Sequence, residues 1–387
     1  MRIMIAAEDY YPNIDGSSYF SQRLAHYLKQ KGHTILVIAP GRKTKSYFFS
    51  HDKINIFGVR SLPVLFYKGF RFGMPFLIQR EIEKTTKQFR PDIVHIQGHL
   101  YICRAVTRIA KELGIPLIAT NHFMPENILH YLHLPDTAEN IAKKIAWKQF
   151  KNVFSKADIV TTPTKTAVHI LKKIGLKNYI IPISCGIDFT IFNPRHNGEY
   201  LKEKYSIPNK KILLYVGRLD KEKNLNALIY AYNLMARQSD IHFVIAGIGK
   251  KRESLEMLSL KLGLKNRITF TGFVTNDDLP YLYAISHCFI IAGIVELQSI
   301  VTMEAMATGL PVIAVNALAL PELVRHGENG FLFKLNDIRS IAEYIKKIFS
   351  DDGLRKQMSL KSLEFIKAHD ISNTIHHYEL LYRALTL

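Results

Sequence analysis

Cysteine is nearly missing from this 387-residue chain: the three that occur, Cys103, Cys185 and Cys288, are far apart and lie beside apolar residues. This excludes a disulfide framework and a cysteine-rich zinc site, and reads as buried thiols in a reducing compartment. No apolar run approaches the roughly 18–20 residues that a membrane-spanning helix needs. The opening Met1-Arg-Ile-Met-Ile-Ala-Ala7 is too short for a secretory signal and is followed at once by Glu8 and Asp9. A cytoplasmic location is expected. Asp-x-Asp and His-Glu-x-x-His are both missing, so no metal is expected, and there is no internal repeat or low-complexity run.

Acidic residues are scarce in one half only. Residues 1–190 carry 27 Lys and Arg against 13 Asp and Glu, a net +14 of the formal +19, whereas residues 191–387 carry 25 against 20. Nucleic acid, an anionic membrane surface and an acidic soluble substrate each fit such an excess. No zinc-finger spacing, RNP-type aromatic strand or arginine-rich tail is present, which speaks against nucleic acid. Leu62 to Phe76 interleaves aromatic and basic residues around Phe66, Lys68 and Arg71, and Arg80, Lys84 and Lys87 follow at one-face helical spacing. Thr137 to Lys156 carries Lys144, Lys148 and Lys151 on one stripe near Ile141, Ile145 and Trp147, the amphipathic basic pattern of a surface that rests on lipid headgroups.

What is present is a repeated alternation of short apolar runs with amphipathic stretches. Ile3 to Ala7, Ile35 to Ala39, Ile93 to Ile96, Pro116 to Thr120 and Ile159 to Thr162 read as one set of parallel strands, with helices over Ser18 to Lys31 and Ala105 to Leu113 closed by Gly32 and Gly114. The pattern restarts with Ile212 to Val216, His242 to Ala246, Ile268 to Phe270, Cys288 to Ile291 and Pro311 to Val315. At 48% hydrophobic and 22% charged, the chain is long enough for two such α/β domains of roughly 150–200 residues each.

The densest chemistry lies between the last two of those strands. Glu296 and Glu304 bracket the start of a helix over Ile300 to Thr308, closed by Gly309. Unpaired amides at the start of a helix on the carboxyl edge of a parallel sheet suit a phosphate. Glu296 in the loop and Glu304 about one turn inside the helix can each accept from hydroxyls beside it. A phosphate flanked by two polyols describes a nucleotide sugar. Gly217-Arg218-Leu-Asp-Lys-Glu-Lys223-Asn224 likewise follows a strand, where a forked cation and a point charge can converge on a diphosphate.

The segment Glu296 to Ala314 resembles the signature of the retaining GT-B glycosyltransferases of glycosyltransferase family 4, E-G-F-G-x-x-x-x-E-A-M-A-x-G-x-P-V-I-A, through Glu296 and Glu304-Ala-Met-Ala-Thr-Gly-Leu-Pro-Val-Ile-Ala314. It departs from it where the two loop glycines are Leu297 and Ser299, which makes the backbone less permissive and gives Ser299 the chemistry of a helix cap. Arg218 and Lys223 match the family's G-R-x-x-x-x-K-N/G pattern, and Gly186 to Pro194 is similar to its G-V/I-D-x-x-x-F-x-P segment. Pro12-Asn-Ile-Asp-Gly16-Ser17-Ser18 resembles its P-x-x-G-G loop, with Ser18 as the expected helix cap and an ordinary strand-to-helix turn as the plain alternative. His122 falls where the family commonly has a histidine beside the sugar; His95, inside a strand, reads as structural. Gly247-Ile-Gly249 follows a strand but lacks the third glycine of a dinucleotide fingerprint.

The resemblance implies two doubly wound Rossmann-like parallel-sheet domains facing a cleft. Residues 1–190 form the acceptor-side domain, residues 191–365 the nucleotide-sugar domain, and a last helix within 366–387 packs back on the first. It implies a retaining, metal-independent hexosyltransferase that needs no cofactor and takes a UDP- or GDP-linked hexose. Glu296, His122, Arg218 and Lys223 carry the catalytic roles, and Gly16, Arg218, Lys223, Leu297, Gln298, Ser299, Ile300 and Glu304 bind the donor. With the basic amino-terminal half, the expected acceptor is a membrane lipid or lipid-linked glycan at the inner face of the cell membrane. The alternatives are a soluble or polysaccharide acceptor, a GT-B nucleotide-sugar epimerase, and a glycan- or nucleic-acid-binding module that releases no nucleotide.

Overall fold

A computed structural model describes residues 1–13, 15–63, 71–73, 75–125, 135–237 and 239–387. Of the aromatic and basic segment 66–76, residues 66–70 and 74 lie outside the described residues. The chain divides into two compact units, Met1–Cys185 with Thr374–Leu387, and Gly186–Asn373. The divisions fall at 185/186 and 373/374, five and eight residues from the expected 190/191 and 365/366. Ile187 explains the first shift: its N–H donates to His369 and its carbonyl accepts from Ile371, which stitches the chain after Cys185 to the second unit.

The first unit is built on β1 (Arg2–Ala6), β2 (Thr34–Pro40), β3 (Tyr47–His51), β4 (Ile54–Val59), a separate ribbon of β5 (Ser61–Pro63) and β6 (Arg71–Gly73), then β7 (Ile93–Ile96), β8 (Leu117–Thr120), β9 (Ile159–Thr162) and β10 (Ile180–Pro182). Among the described residues the main sheet runs β10-β9-β8-β7-β1-β2-β4-β3, parallel except for β3. Ile3, Ile5, Val94, Ile96, Leu117 and Ala119 are fully buried, as strands covered on both faces require. β3 and β4 were not legible as strands. Their hairpin turns at Asp52 and Lys53, both at positive φ (47° and 61°) with no glycine to signal it.

The second unit holds β11 (Lys211–Val216), β12 (Ile241–Ala246), β13 (Ile268–Gly272), β14 (Cys288–Ile291), β15 (Val312–Val315) and β16 (Gly330–Phe333) in the parallel order β13-β12-β11-β14-β15-β16. β16 opens on Gly330, where an added Cβ would meet the Val312 carbonyl oxygen at 1.8 Å. Strand order reverses at β1/β7 in the first unit and at β11/β14 in the second. A doubly wound sheet opens a crevice at each such point, beside the carboxyl ends of the strands.

The last helix, Ile371–Thr386, places Tyr378 and Tyr382 in the first unit's core, where both are fully buried. The Tyr382 hydroxyl lies 2.7 Å from His95 Nδ1, His95 Nε2 lies 2.6 Å from Thr120 Oγ1, and Tyr378 reaches Thr120 and Thr161 at 3.2 and 3.3 Å. His95 is thus a structural ring, held neutral because burial pushes its pKa down to about 3. Tyr382→Phe leaves a buried ring nitrogen without its partner and is expected to cost about 1–3 kcal/mol of unfolding free energy. Trp147, the one tryptophan, lies in the same unit. Urea unfolding followed by its fluorescence measures that loss, and an unchanged midpoint would show that the network does not hold the helix.

Candidate functional site at the second switch point

The loops after β11 and β14 form the second unit's crevice. Gly217, at φ 149°, turns the chain out of β11, and Gly247, at φ 141°, does so after β12. A Cβ on Gly247 would meet the Gly217 carbonyl oxygen at 1.9 Å and one on Gly249 would meet that of Leu219 at 2.4 Å. The Gly-x-Gly pair therefore serves close packing of two loops, and no third glycine is needed for it.

Lys223 ends a short 3₁₀ turn, Lys221–Lys223, and its Nζ lies 2.6 Å from Glu296 Oε1 in the loop after β14. Their side chains are only 16% and 13% exposed, so this ion pair is largely withdrawn from water. Gly293 makes room for it, since a Cβ there would lie 2.6 Å from Glu296 Oε1 and 3.4 Å from Lys223 Cδ. Arg218 does not point to the same spot: its Nη1 lies 2.6 Å from Asp220 Oδ2 and its Nη2 2.8 Å from Glu222 Oε1. Both acids are buried. Asp220 also accepts from the Lys250 N–H at 3.0 Å, so it does not cap the following helix, and Asn224 makes no side-chain cap bond either.

The helix Ile300–Ala307 begins behind Glu296. Ser299 caps it, its Oγ accepting from the Thr302 N–H at 3.4 Å and from Thr302 Oγ1 at 2.9 Å. Gly309, at φ 78°, ends it, with Leu310 donating to Ala305 and Gly309 to Met306 in a Schellman arrangement. Leu297, Gln298 and Ser299 are buried and Ile300 half-buried. Glu304 is 3% exposed, and the buried Tyr283 hydroxyl donates to its Oε2 at 2.9 Å. Nothing in the local sequence points to Tyr283, because it reaches Glu304 from another helix.

Gly16 and His122 lie in the first unit. Gly16 starts the helix Gly16–Gln30, whose cap is Asp15 and not the expected Ser18: Asp15 Oδ1 accepts from the amides of Ser17 and Ser18 at 3.0 and 3.2 Å. Ser18 Oγ donates instead to the Asn13 carbonyl. Asp9 beside it is pushed up to about 10 by burial and by Asp15. Although burial favours the acid form of Asp15 too, hydrogen bonds from Asp9, Ser17 and Ser18 hold it below the usual range. Glu8 accepts from the amides of Ile102 and Cys103, capping the helix Tyr101–Glu112 from a distance, and burial pushes it up to about 7. Two acids directly after a buried strand were a signal that went unread. His122 Nε2 lies 2.9 Å from Gln97 Oε1, and burial pushes its ring down to about 4.

Comparison with known proteins adds the chemistry. Residues 14–191 match the family model described as Glycosyltransferase Family 4, and residues 198–364 that described as Glycosyl transferases group 1. A glycosyltransferase of Methanocaldococcus jannaschii is 35% identical over 92% of this chain and 91% of its own. A GDP-mannose-dependent alpha-mannosyltransferase of Corynebacterium glutamicum is 27% identical over 95% of this chain and 85% of its own. The alpha-monoglucosyldiacylglycerol synthase of Streptococcus pneumoniae is 25% identical over 98% of this chain and 86% of its own. Among solved structures, sucrose-phosphate synthase from Thermosynechococcus elongatus superimposes with a TM-score of 0.83 at 17% identity, covering 100% of this chain and 99% of that one. Anabaena HepE in complex with UDP does so with 0.80 at 18%, covering 100% of both. On these matches and its two doubly wound sheets, the chain belongs to the GT-B glycosyltransferases of glycosyltransferase family 4.

Proposed function

We propose that this glycosyltransferase retains configuration while moving a hexose from a UDP- or GDP-linked donor to a lipid or lipid-linked acceptor, without a metal ion, at the inner face of the cell membrane. The observation that carries the reading is the withdrawn Lys223–Glu296 pair at the β11/β14 switch point, beside the start of the helix that bears Glu304. A donor diphosphate set against that helix start exchanges one anion for another at Lys223: the phosphate takes the cation and Glu296 is released toward the sugar. Lys223, Arg218 and the amides around Ser299 and Ile300 then stabilise the charge on the leaving diphosphate. Leu297 and Gln298 line the donor through their backbone. Glu296 serves sugar hydroxyls or the oxocarbenium-like centre, and Glu304, oriented by Tyr283, takes ribose hydroxyls. The acceptor hydroxyl attacks from the face that the phosphate leaves, which is what retention requires. On the first unit, Gly16 and His122 serve the sugar or the acceptor.

The lipid acceptor is supported by the glucosyldiacylglycerol synthase among the relatives and by the helix Asp136–Phe154. That helix buries Phe150, Val153 and Phe154, while Ile141, Lys144, Ile145 and Lys148 stay exposed. Among the described residues no helix is long and apolar enough to cross a membrane. A second basic area, where Arg2, Arg80, Lys84, Lys87 and Arg90 line one depression, lies at the amino-terminal edge of the sheet, away from His122. A soluble acceptor is the second reading, favoured by the likeness to sucrose-phosphate synthase.

Four sets of measurements test this. Purified protein should release UDP or GDP from a hexose donor faster with lipid vesicles than without, and chelation by EDTA should leave the rate unchanged; release unaffected by lipid favours the soluble acceptor. Lys223→Ala should lower kcat/KM by about 2–4 kcal/mol in transition-state terms. Arg218→Ala should lower kcat/KM too, but also the unfolding midpoint, because it strips the cation from two buried carboxylates. Glu304→Gln should chiefly raise the donor KM and Glu296→Gln chiefly lower kcat, and the reverse pattern would exchange their roles. Finally, each lysine near an anionic surface is worth about 1 kcal/mol and is screened beyond roughly 8–10 Å. The double change of Lys144 and Lys148 to Glu should abolish sedimentation with anionic vesicles, which salt should also reverse, and equal binding to neutral vesicles would sink the membrane reading.

A further inference from the structure

We propose that Gln97 is a positioning residue: its amide carbonyl holds the ring of His122 in the Nε2–H tautomer, so that the ring offers the Nδ1 lone pair, an acceptor, to a substrate hydroxyl. The proposal rests on the sugar-handling role given to His122 above, and it specifies which chemical group that ring can read.

Gln97 follows β7 directly and His122 lies two residues beyond β8, so the parallel pairing of those strands brings the two side chains together at the carboxyl edge of the sheet. Gln97 Oε1 and His122 Nε2 are 2.9 Å apart. An amide oxygen only accepts, so the hydrogen of this bond sits on Nε2. A neutral ring has just one, and desolvation by its neighbours keeps the ring neutral. The groups that face it are Asp15, whose charge favours protonation, and His95, which is itself neutral between Tyr382 and Thr120. Phe20 covers the ring at 4.9 Å between centroids. Burial outweighs Asp15 and keeps the ring near a pKa of about 4. Nδ1 is therefore a lone pair. The ring is half-buried, and Nδ1 meets no hydrogen-bond partner among the described residues.

Gln97 is buried, and its own Nε2 finds no partner among the described residues. A buried amide that leaves one donor unmet is a poor stabilising device, which fits a residue kept for what its other end does. The consequence is selectivity of sign. A lone pair welcomes an O–H and repels a carboxylate or phosphate oxygen, so the position read by His122 takes a hydroxyl-bearing hexose over the corresponding hexuronate.

The test begins without substrate. In protein labelled with ¹⁵N-histidine, the His122 signals, identified by their loss in His122→Ala, should show an unprotonated Nδ1 and a protonated Nε2 throughout pH 6–8. A protonated Nδ1, or a ring that titrates in that interval, would overturn the proposal. Nucleotide release then reads the consequence. Gln97→Leu should lose on the order of tenfold in kcat/KM at every pH, the loss of one oriented hydrogen bond. Gln97→Glu sets a carboxylate against the ring and raises its pKa. Below that raised pKa the ring is an imidazolium with no lone pair, so activity should fall as pH drops through it and return toward wild type above it. A flat Gln97→Glu profile, or one as depressed at high pH as Gln97→Leu, would overturn the proposal. Should the wild-type protein release nucleotide from no donor, the transferase reading fails, while the tautomer measurement still decides the role of Gln97.

Discussion

The Lys223–Glu296 ion pair is the contact on which the second unit's site depends. It joins the loop after β11 to the loop after β14, the two chain segments that flank the point where strand order reverses. The backbone supports it, with the Ile294 N–H donating to the Glu222 carbonyl at 3.2 Å across the same gap. Gly293 is the residue that permits it, because any side chain there would occupy the space of the Glu296 carboxylate. A pair this withdrawn from water is costly to break without replacement, and a diphosphate is a replacement. In the function proposed above, the site holds its cation against an internal carboxylate until the donor's diphosphate replaces it.

Arg218 and Lys223 divide the labour that the sequence pattern assigned to both. Lys223 is matched to one partly exposed carboxylate and can be handed over. Arg218 is forked between Asp220 and Glu222, both buried, with Asp220 also fixed by the Lys250 amide. Its guanidinium is therefore part of the loop's framework as much as of its binding surface. The spacing of five between the two cations says nothing of this, since the partners lie two and four residues beyond Arg218 in a segment that reads only as charged.

The ten apolar runs read as parallel strands all appear, because a doubly wound sheet writes itself as continuous apolar segments between helices. What escaped was decided at a distance. The helix expected from Ala105 starts at Tyr101, because its first turn is capped by the carboxylate of Glu8 from the loop after β1, not by a neighbouring Ser, Thr or Asp. The helix expected to be capped by Ser18 is capped by Asp15, three residues earlier, because the helix begins at Gly16. Gln97 and Tyr283 carry no local pattern at all. Each acts by orienting one side chain that the motifs do reveal, and only the fold brings them to it.

The two switch points finally differ in the charge of their caps. In the first unit the helix after β1 starts on Asp15, an anion held in that form by Asp9, Ser17 and Ser18. Its carboxylate occupies the first amides and cancels the positive end of the helix. In the second unit the helix after β14 starts on Ser299, a neutral hydroxyl that satisfies one amide and leaves the dipole uncancelled. The two caps thus have opposite consequences. One helix start is already neutralised by its own chain, and the other still has the potential to attract a phosphate. In the proposed reading, then, the second unit's helix start keeps a dipole to set against the donor diphosphate, whereas that of the first unit is already occupied by Asp15.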